Sequence, residues 1–351
     1  MTDRPSLVVL CAGDRFITAD ALADAATAAL GTIEVVRHTS SWPDVPFRSV
    51  AGVREAAGDI DELVAAARGA DLLLTHLAPV TFAVLEAAAP TLRLIGSVRG
   101  GPVNIDLDAA TRYGVPVAFL PGRNLEAVAE FVIGAMIGAS RGTFAASRSL
   151  RDGVWDASAF RIERCGKELR VSTVGLVGLG AVGRRVAALL QAFGSTVLAH
   201  DPYADPEAAA AAGVELVSFE RLLADSDVVS VHARLTDQTR RMFDADAFAA
   251  MRRGVCFVNT ARGELVDEQA LAAALASGQI GSVALDVFDP EPPGADSPLL
   301  GHPAAVGTPH LAGASQQVAL ESAAKVAAAA AGYLRGEGLV HCANPTVLAR
   351  G

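Results

Sequence analysis

Val174-Gly175-Leu176-Val177-Gly178-Leu179-Gly180-Ala181-Val182-Gly183 decides the fold. An apolar run leads into Gly178, Gly180 and Gly183, spaced G-x-G-x-x-G, and an amphipathic helical pattern follows over 181–193. The first glycine permits a tight turn, the second lets backbone approach a pyrophosphate, and the third allows close helix–strand contact. The freed N–H groups and the helix dipole can then hold an anion. A second apolar run, 195–200, ends at Asp201, 23 positions past Gly178. A carboxylate there can accept bonds from the adenosine ribose hydroxyls. It would also repel a 2′-phosphate, and Pro202-Tyr203-Ala204-Asp205 brings no arginine, so NAD is expected rather than NADP. A purely structural glycine turn is the plainer alternative, and the full strand–turn–helix–strand–Asp order argues against it.

Outward from this motif, short apolar runs alternate with alanine-rich helical patterns along the whole chain. Strands are expected at 6–11, 33–37, 71–75, 92–96 and 115–119, then at 172–177, 195–200, 228–232, 255–259, 281–285 and 304–307. Most are continuous rather than alternating, the pattern of strands buried on both faces of a parallel sheet. The fold class is therefore α/β, with βαβ units and parallel sheets. A boundary falls near 120–124, where Leu-Pro-Gly-Arg-Asn precedes a helix pattern over 125–140 that is hydrophobic nearly all round. Such a helix is expected to be buried between two layers or domains. Segment 150–171 reads as polar and irregular, and 289–303 as a rigid proline-rich loop.

Length and composition bound the rest. At 351 residues the chain suggests two domains. The net charge of −10 disfavours nucleic-acid binding as the main activity, and 51% hydrophobic residues exclude global disorder. No apolar stretch reaches the ~18 residues that span a bilayer. The run Leu7 to Ala12 is too short for a signal peptide and reads as a first strand. Cys11, Cys165, Cys256 and Cys342 lie far apart with no zinc spacing, which fits a reduced cytoplasmic protein without a metal.

Three later strand ends carry polar residues that a buried sheet would not otherwise need. The run 255–260 leads into Arg262, the run 283–285 into Asp286 and Glu291, and the run 305–309 into His310. Together an Arg, a Glu and a His suit 2-hydroxy acid redox chemistry. The guanidinium holds a carboxylate, the imidazole moves the hydroxyl proton, and the Glu keeps the imidazole charged.

With these residues in place, the sequence resembles the D-isomer-specific 2-hydroxyacid dehydrogenases, the family of D-3-phosphoglycerate, D-lactate and hydroxypyruvate/glyoxylate enzymes. The matching stretches are VGLVGLGAVG (174–183), VNTARGELVDEQAL (258–271), ALDVFDPEP (284–292) and TPHLAG (308–313). Weaker ones lie at 100–117, 125–131 and 231–240, so the similarity runs from about residue 70 to 347. The resemblance implies two flavodoxin- and Rossmann-like domains with the active site in the cleft between them. The substrate domain would be 1–122 completed by 315–351, the NAD domain 123–314, and the protein a cytoplasmic homodimer. It implies catalytic roles for Arg262, Glu291 and His310, and a contact from Asp286 to the nicotinamide carboxamide. Backbone contacts to the pyrophosphate are implied for Ala181 and Val182. Contacts near the nicotinamide are implied for Thr260, Ala261, Arg262, His310, Ala312 and Gly313. The loops His76-Leu77-Ala78 and Val98-Arg99-Gly100-Gly101 would offer amides to the substrate carboxylate.

Two departures from the family pattern stand out. Arg234 replaces a common proline, and Arg99-Gly100-Gly101-Pro102 replaces a more apolar glycine loop. Arg99 is either solvated, paired with a neighbouring acid, or a contact to a second anionic group on the substrate. His76, His232, His302 and His341 have no metal spacing and read as structural, and Trp155 reads as packing. The expected activity is NAD-dependent interconversion of a 2-oxo acid and a D-2-hydroxy acid. The alternatives are a phosphorylated or dicarboxylic substrate, or an idle NAD-sensing scaffold such as the corepressors of this fold.

Overall fold

The computed structural model describes residues 6–42 and 49–350, which fall into two compact units. Unit 1 joins the N-terminal segment, up to Asn124, to the segment from Ala314 onward; unit 2 is Leu125–Gly313.

Unit 1 holds one parallel sheet of β1 (Leu7–Gly13), β2 (Ile33–Thr39), β3 (Leu72–Thr75), β4 (Leu94–Ser97) and β5 (Val117–Ala118), in the order β2-β1-β3-β4-β5. The apolar runs explain this. Val9, Leu10, Leu72, Leu73, Leu74 and Leu94 are all fully buried, because helices cover both faces. The order reverses between β1 and β3, as in flavodoxin-like sheets. The C-terminal helix Gln316–Leu334 returns to this unit and lies against the helix Ala19–Leu30 and β4. Val326 there leaves no room for a side chain at Gly96, since an added Cβ would stand 2.6 Å from it. Asn344 anchors the return, accepting from Val117 N at 2.9 Å and donating to the Val115 carbonyl at 2.9 Å.

Unit 2 holds a seven-stranded parallel sheet. Its strands are β6 (Thr173–Val177), β7 (Thr196–His200), β8 (Glu215–Leu216), β9 (Val228–Val231), β10 (Val255–Asn259), β11 (Ile280–Leu285) and β12 (Ala305–Gly307). The order β12-β11-β10-β9-β6-β7-β8 reverses between β6 and β9, the topological switch point at which such sheets bind dinucleotides. The helix Leu125–Ser140 packs on the helix Ala181–Phe193 and on β10 and β11 through Ala129, Val132, Ile133 and Met136. It is not buried all round as its composition suggested. Glu126 and Glu130 face outward, and Ile137 is 36% exposed. The segment after it is less irregular than its polarity implied, since Thr143–Arg151 is helical before three 3-10 turns. Trp155, expected to pack at a domain or dimer junction, is 82% exposed on the single chain. Among the described residues no helix is long and apolar enough to cross a membrane.

Candidate active site

The glycine turn behaves as its spacing requires. Gly178 has φ +99°, and a Cβ there would stand 2.7 Å from Ala233 N, so only glycine fits between β6 and the chain leaving β9. Gly180 caps the helix Ala181–Phe193 and faces open space, as a backbone that receives a phosphate must. Ala181 and Val182 occupy the first helical positions, where N–H groups lack intrahelical partners. Asp201 follows β7, and its two carboxylate oxygens accept from Leu179 N (2.7 Å) and Tyr203 N (2.9 Å). The acid is thereby fixed beside the glycine turn with lone pairs to spare. His232 packs under the turn, where burial pushes its imidazole down to about 4, and it meets Ser230 Oγ at 3.1 Å. Arg234 is exposed, and its carbonyl accepts from Thr239 Oγ1 at 2.6 Å.

Arg262, Glu291 and His310 follow β10, β11 and β12, three strands that are neighbours in one parallel sheet. Their C-terminal ends therefore lie side by side, which brings together residues far apart in sequence. His310 Nδ1 meets Glu291 Oε2 at 2.9 Å, and Glu291 Oε1 accepts from Phe288 N at 3.1 Å. Burial alone would push the Glu291 carboxyl up. Its hydrogen bond to His310, the His310 charge, the Phe288 amide and the Arg262 charge together hold it below the usual carboxylate range. The imidazole and carboxylate are about a third and a fifth exposed, so the pair stays open to a ligand. His310 has φ +52°, a left-handed conformation uncommon for this residue. Its N–H donates to the Asp286 carbonyl at 2.9 Å, which holds it there.

Asp286 organises the same turn. Its side chain is buried, and Oδ1 accepts from Thr308 Oγ1 (2.7 Å) and Leu311 N (2.8 Å) while Oδ2 accepts from Ala312 N (2.8 Å). Most of its acceptor capacity thus goes to the 308–312 turn, leaving a lone pair on Oδ2 for the carboxamide contact expected of it. Thr260 Oγ1 is buried with no hydrogen-bond partner among the described residues. It lines a cavity of about 300 Å³ with Phe131, Ala284, Asp286 and Thr308. The orphaned hydroxyl, the open face of Gly180 and the fixed Asp201 carboxylate fit a dinucleotide along the strand ends of unit 2.

Three supporting residues escaped the sequence reading. Asn259, buried at the end of β10, accepts from Ala261 N at 3.0 Å and donates to the Arg262 carbonyl at 2.9 Å. It fixes the turn that presents Arg262, and an Asn closing a strand is the turn signal that could have marked it. Gly263 lets this turn dock on the Glu291 loop, since a Cβ there would stand 2.1 Å from the Phe288 carbonyl carbon. Glu268 Oε1 accepts from Asp289 N at 2.8 Å and ties down the same loop.

In unit 1 the expected substrate loops come together around a buried pair. His76 Nδ1 lies 2.7 Å from Asp14 Oδ2, and its Nε2 lies 3.3 Å from Arg123 Nη2. Leu77 and Ala78 are buried, their carbonyls taken by Ala57 N and by Asn104 Nδ2. Of the readings open for Arg99, the structure shows pairing with a neighbouring acid. It is 12% exposed, forms an ion pair with Glu55 and donates to the Glu55 carbonyl at 3.1 Å. The burial of both loops requires this: a guanidinium taken from water needs an acceptor. Gly100 and Gly101 follow, with the Arg99 carbonyl bonded to Leu120 N at 2.8 Å.

The family model described as "D-isomer specific 2-hydroxyacid dehydrogenase, NAD binding domain" matches residues 133–312. The D-3-phosphoglycerate dehydrogenase of Mycobacterium leprae is 42% identical over 307 residues, 88% of this chain but 54% of its own length. The chain thus spans about half the length of that curated relative. Among solved structures, the TT0316 protein of Thermus thermophilus is 30% identical at a TM-score of 0.77, covering 96% of this chain and all of that one. D-lactate dehydrogenase of Escherichia coli is 26% identical at a TM-score of 0.75, with 95% and 99% covered. The chain belongs to the D-isomer specific 2-hydroxyacid dehydrogenase family, and its unit 2 carries that family's NAD-binding domain.

Proposed function

We propose that the protein uses NAD to interconvert a 2-oxo acid and a D-2-hydroxy acid. The observation that carries this reading is the Glu291–His310 pair, 2.9 Å apart, on a turn beside the Arg262 loop at the C-terminal strand ends of an NAD-binding domain. When bound, the nicotinamide supplies or accepts the hydride. In reduction Arg262 takes the substrate carboxylate as a bidentate fork, and His310 gives its proton to the carbonyl oxygen. Glu291 holds the imidazole in orientation and balances its charge while Arg262 and His310 stabilise the developing alkoxide. Asp201 supports NADH over NADPH, because a 2′-phosphate would meet a carboxylate already fixed by two amides. Amides of the 76–78 and 98–101 loops remain the proposed second grip on the carboxylate.

A phosphorylated or dicarboxylic acid is a second reading of the same chemistry, favoured by the 42% identity to a D-3-phosphoglycerate dehydrogenase. Exposed Leu150, Val154, Trp155, Phe160 and Ile162, close together in sequence, support a second copy as partner, since large apolar side chains in water call for cover. Four unpaired cysteines support a cytoplasmic setting. Oxidation of NADH by a panel of 2-oxo acids tests the activity, with NADPH in parallel. Turnover of at least one acid is expected, and no turnover of any would overturn the proposal.

A further inference from the structure

Arg123 lies in unit 1 on the turn that follows β5, and its role is not explained by the residues around it. The turn is tied to the Arg99 loop, Leu120 N donating to the Arg99 carbonyl at 2.8 Å and Arg123 N to the Leu120 carbonyl at 3.3 Å. Two guanidiniums are thus brought close, and they are balanced differently. Arg99 is paired with Glu55. Arg123 has no ion pair among the described residues.

A relay instead aims it. Asp14 is 1% exposed, and its Oδ1 accepts from Phe16 N (2.8 Å) and Ile17 N (3.0 Å). Burial would push its carboxyl up, but the His76 contact and these amides hold it below the usual range, so it is a carboxylate. Burial drives His76 the other way, toward the neutral imidazole, against the pull of Asp14. A neutral ring that donates from Nδ1 to Asp14 presents a lone pair at Nε2, and that lone pair accepts from Arg123 Nη2 at 3.3 Å. The guanidinium is thereby pinned at one nitrogen. Its other terminal nitrogen, Nη1, is buried and has no hydrogen-bond partner among the described residues. Burial and the Arg99 charge push Arg123 down to about 10, so it remains a cation at neutral pH. A pinned cationic fork with one buried donor unused is a receptor for an anionic oxygen.

We propose that Arg123 is a substrate-binding residue whose Nη1 receives an oxyanion of the 2-oxo acid, with His76 and Asp14 as positioning residues that fix the guanidinium. This rests on the 2-oxo acid reading above. The oxyanion is either the carboxylate that every such substrate carries or a distal anion on a longer one, and the two sources give different results.

The test compares wild type, Arg123→Met and Arg123→Lys, measuring KM for pyruvate, oxaloacetate and NADH. Loss of one charge-assisted contact raises the KM for the acid by about 10- to 100-fold, with the NADH value unmoved. A loss shared by both acids identifies the common carboxylate, and a loss confined to oxaloacetate identifies the distal one. Arg123→Lys restores part of the affinity, and His76→Gln raises the same KM by a smaller factor. A purely structural arginine would shift the melting temperature and leave the ratio of the acid and NADH KM values intact. Unchanged KM for both acids overturns the proposal. If wild type turns over no 2-oxo acid, the functional reading fails separately, and calorimetry with oxalate then decides. Binding to wild type that is lost in Arg123→Met supports Arg123, whereas equal binding, or none to either, overturns it.

Discussion

At the residue scale, the proposed chemistry rests on a carboxylate kept charged by what it touches. Glu291 is held below its usual range although burial opposes it, which means that His310, with the Phe288 amide and the Arg262 charge, outweighs desolvation. Glu291→Gln keeps the shape and the hydrogen-bonding capacity but removes the charge. The pH optimum for reduction then moves downward, because protonated His310 loses its counter-charge, while NADH affinity is retained. A pH–rate profile of kcat for the variant reads this, and an unmoved alkaline-side limb, where the proton donor is lost, would show that the pair is not coupled. Arg262, Glu291 and His310 were legible because each sits in a short motif at the end of an apolar run. The Asp14–His76–Arg123 relay was not, since its members are 62 and 47 positions apart and nothing in any local stretch marks one for the other. Arg99 shows the reverse case. Its loop position was readable, but its ion pair with Glu55, 44 positions away, depends on a fold that sequence spacing does not encode.

At the element scale, the site is a consequence of strand order. The apolar runs of β6, β7, β9, β10 and β11 were readable as buried parallel strands, and their polar termini as the working edge. The two-residue edge strand β8 was not, because Glu215–Leu216 is too short to form a run. The helix Leu125–Ser140 misled for a related reason. Small residues such as Gly134 make its outward face look apolar without making it buried. What composition cannot show at all is close approach of loops, and here Gly263 is decisive. Backbone of Phe288 and Asp289 stands 2.1 to 2.6 Å from where its Cβ would be, and backbone cannot swing aside as a side chain can. Gly263→Ala should therefore part the Arg262 turn from the Glu291 loop, costing about 1–3 kcal/mol of stability. The kcat/KM for the acid should fall by an order of magnitude or more, since small misplacements of catalytic groups are expensive. Wild-type kinetics in this variant would mean that the docking of these loops does not position the site.

At the scale of the molecule, acid should loosen the fold. His38, His76 and His232 are all shifted downward with burial as the largest cause, His232 to about 4. The unfolded chain takes up these protons near pH 6.5 and the folded chain does not, so stability falls as pH drops through 6.5. For His232 alone this amounts to about 1 kcal/mol between pH 7.5 and 5.5. Glu268, raised by burial, works in the opposite sense, holding its proton above the unfolded value and losing that contribution as pH rises. It is one group against three. Asp14 and Glu291, both lowered, add a further loss below their unfolded values. The urea midpoint should accordingly be lower at pH 5.5 than at pH 7.5, and an equal or higher midpoint at pH 5.5 would show that these histidines are not kept neutral by the fold.

The proposed centre of the mechanism is His310, set by Glu291 and flanked by Arg262, which moves the proton that accompanies hydride transfer to a 2-oxo acid and so yields the D-2-hydroxy acid. The measurement that tests it most directly is NADH oxidation by the best acid of the panel, with chiral analysis of the product, in wild type and in His310→Gln. Wild type should yield the D-2-hydroxy acid. The variant should bind NADH as before and lose about 10²- to 10⁴-fold in kcat, the usual weight of a general acid. An L product, or a variant that turns over at the wild-type rate, would contradict it.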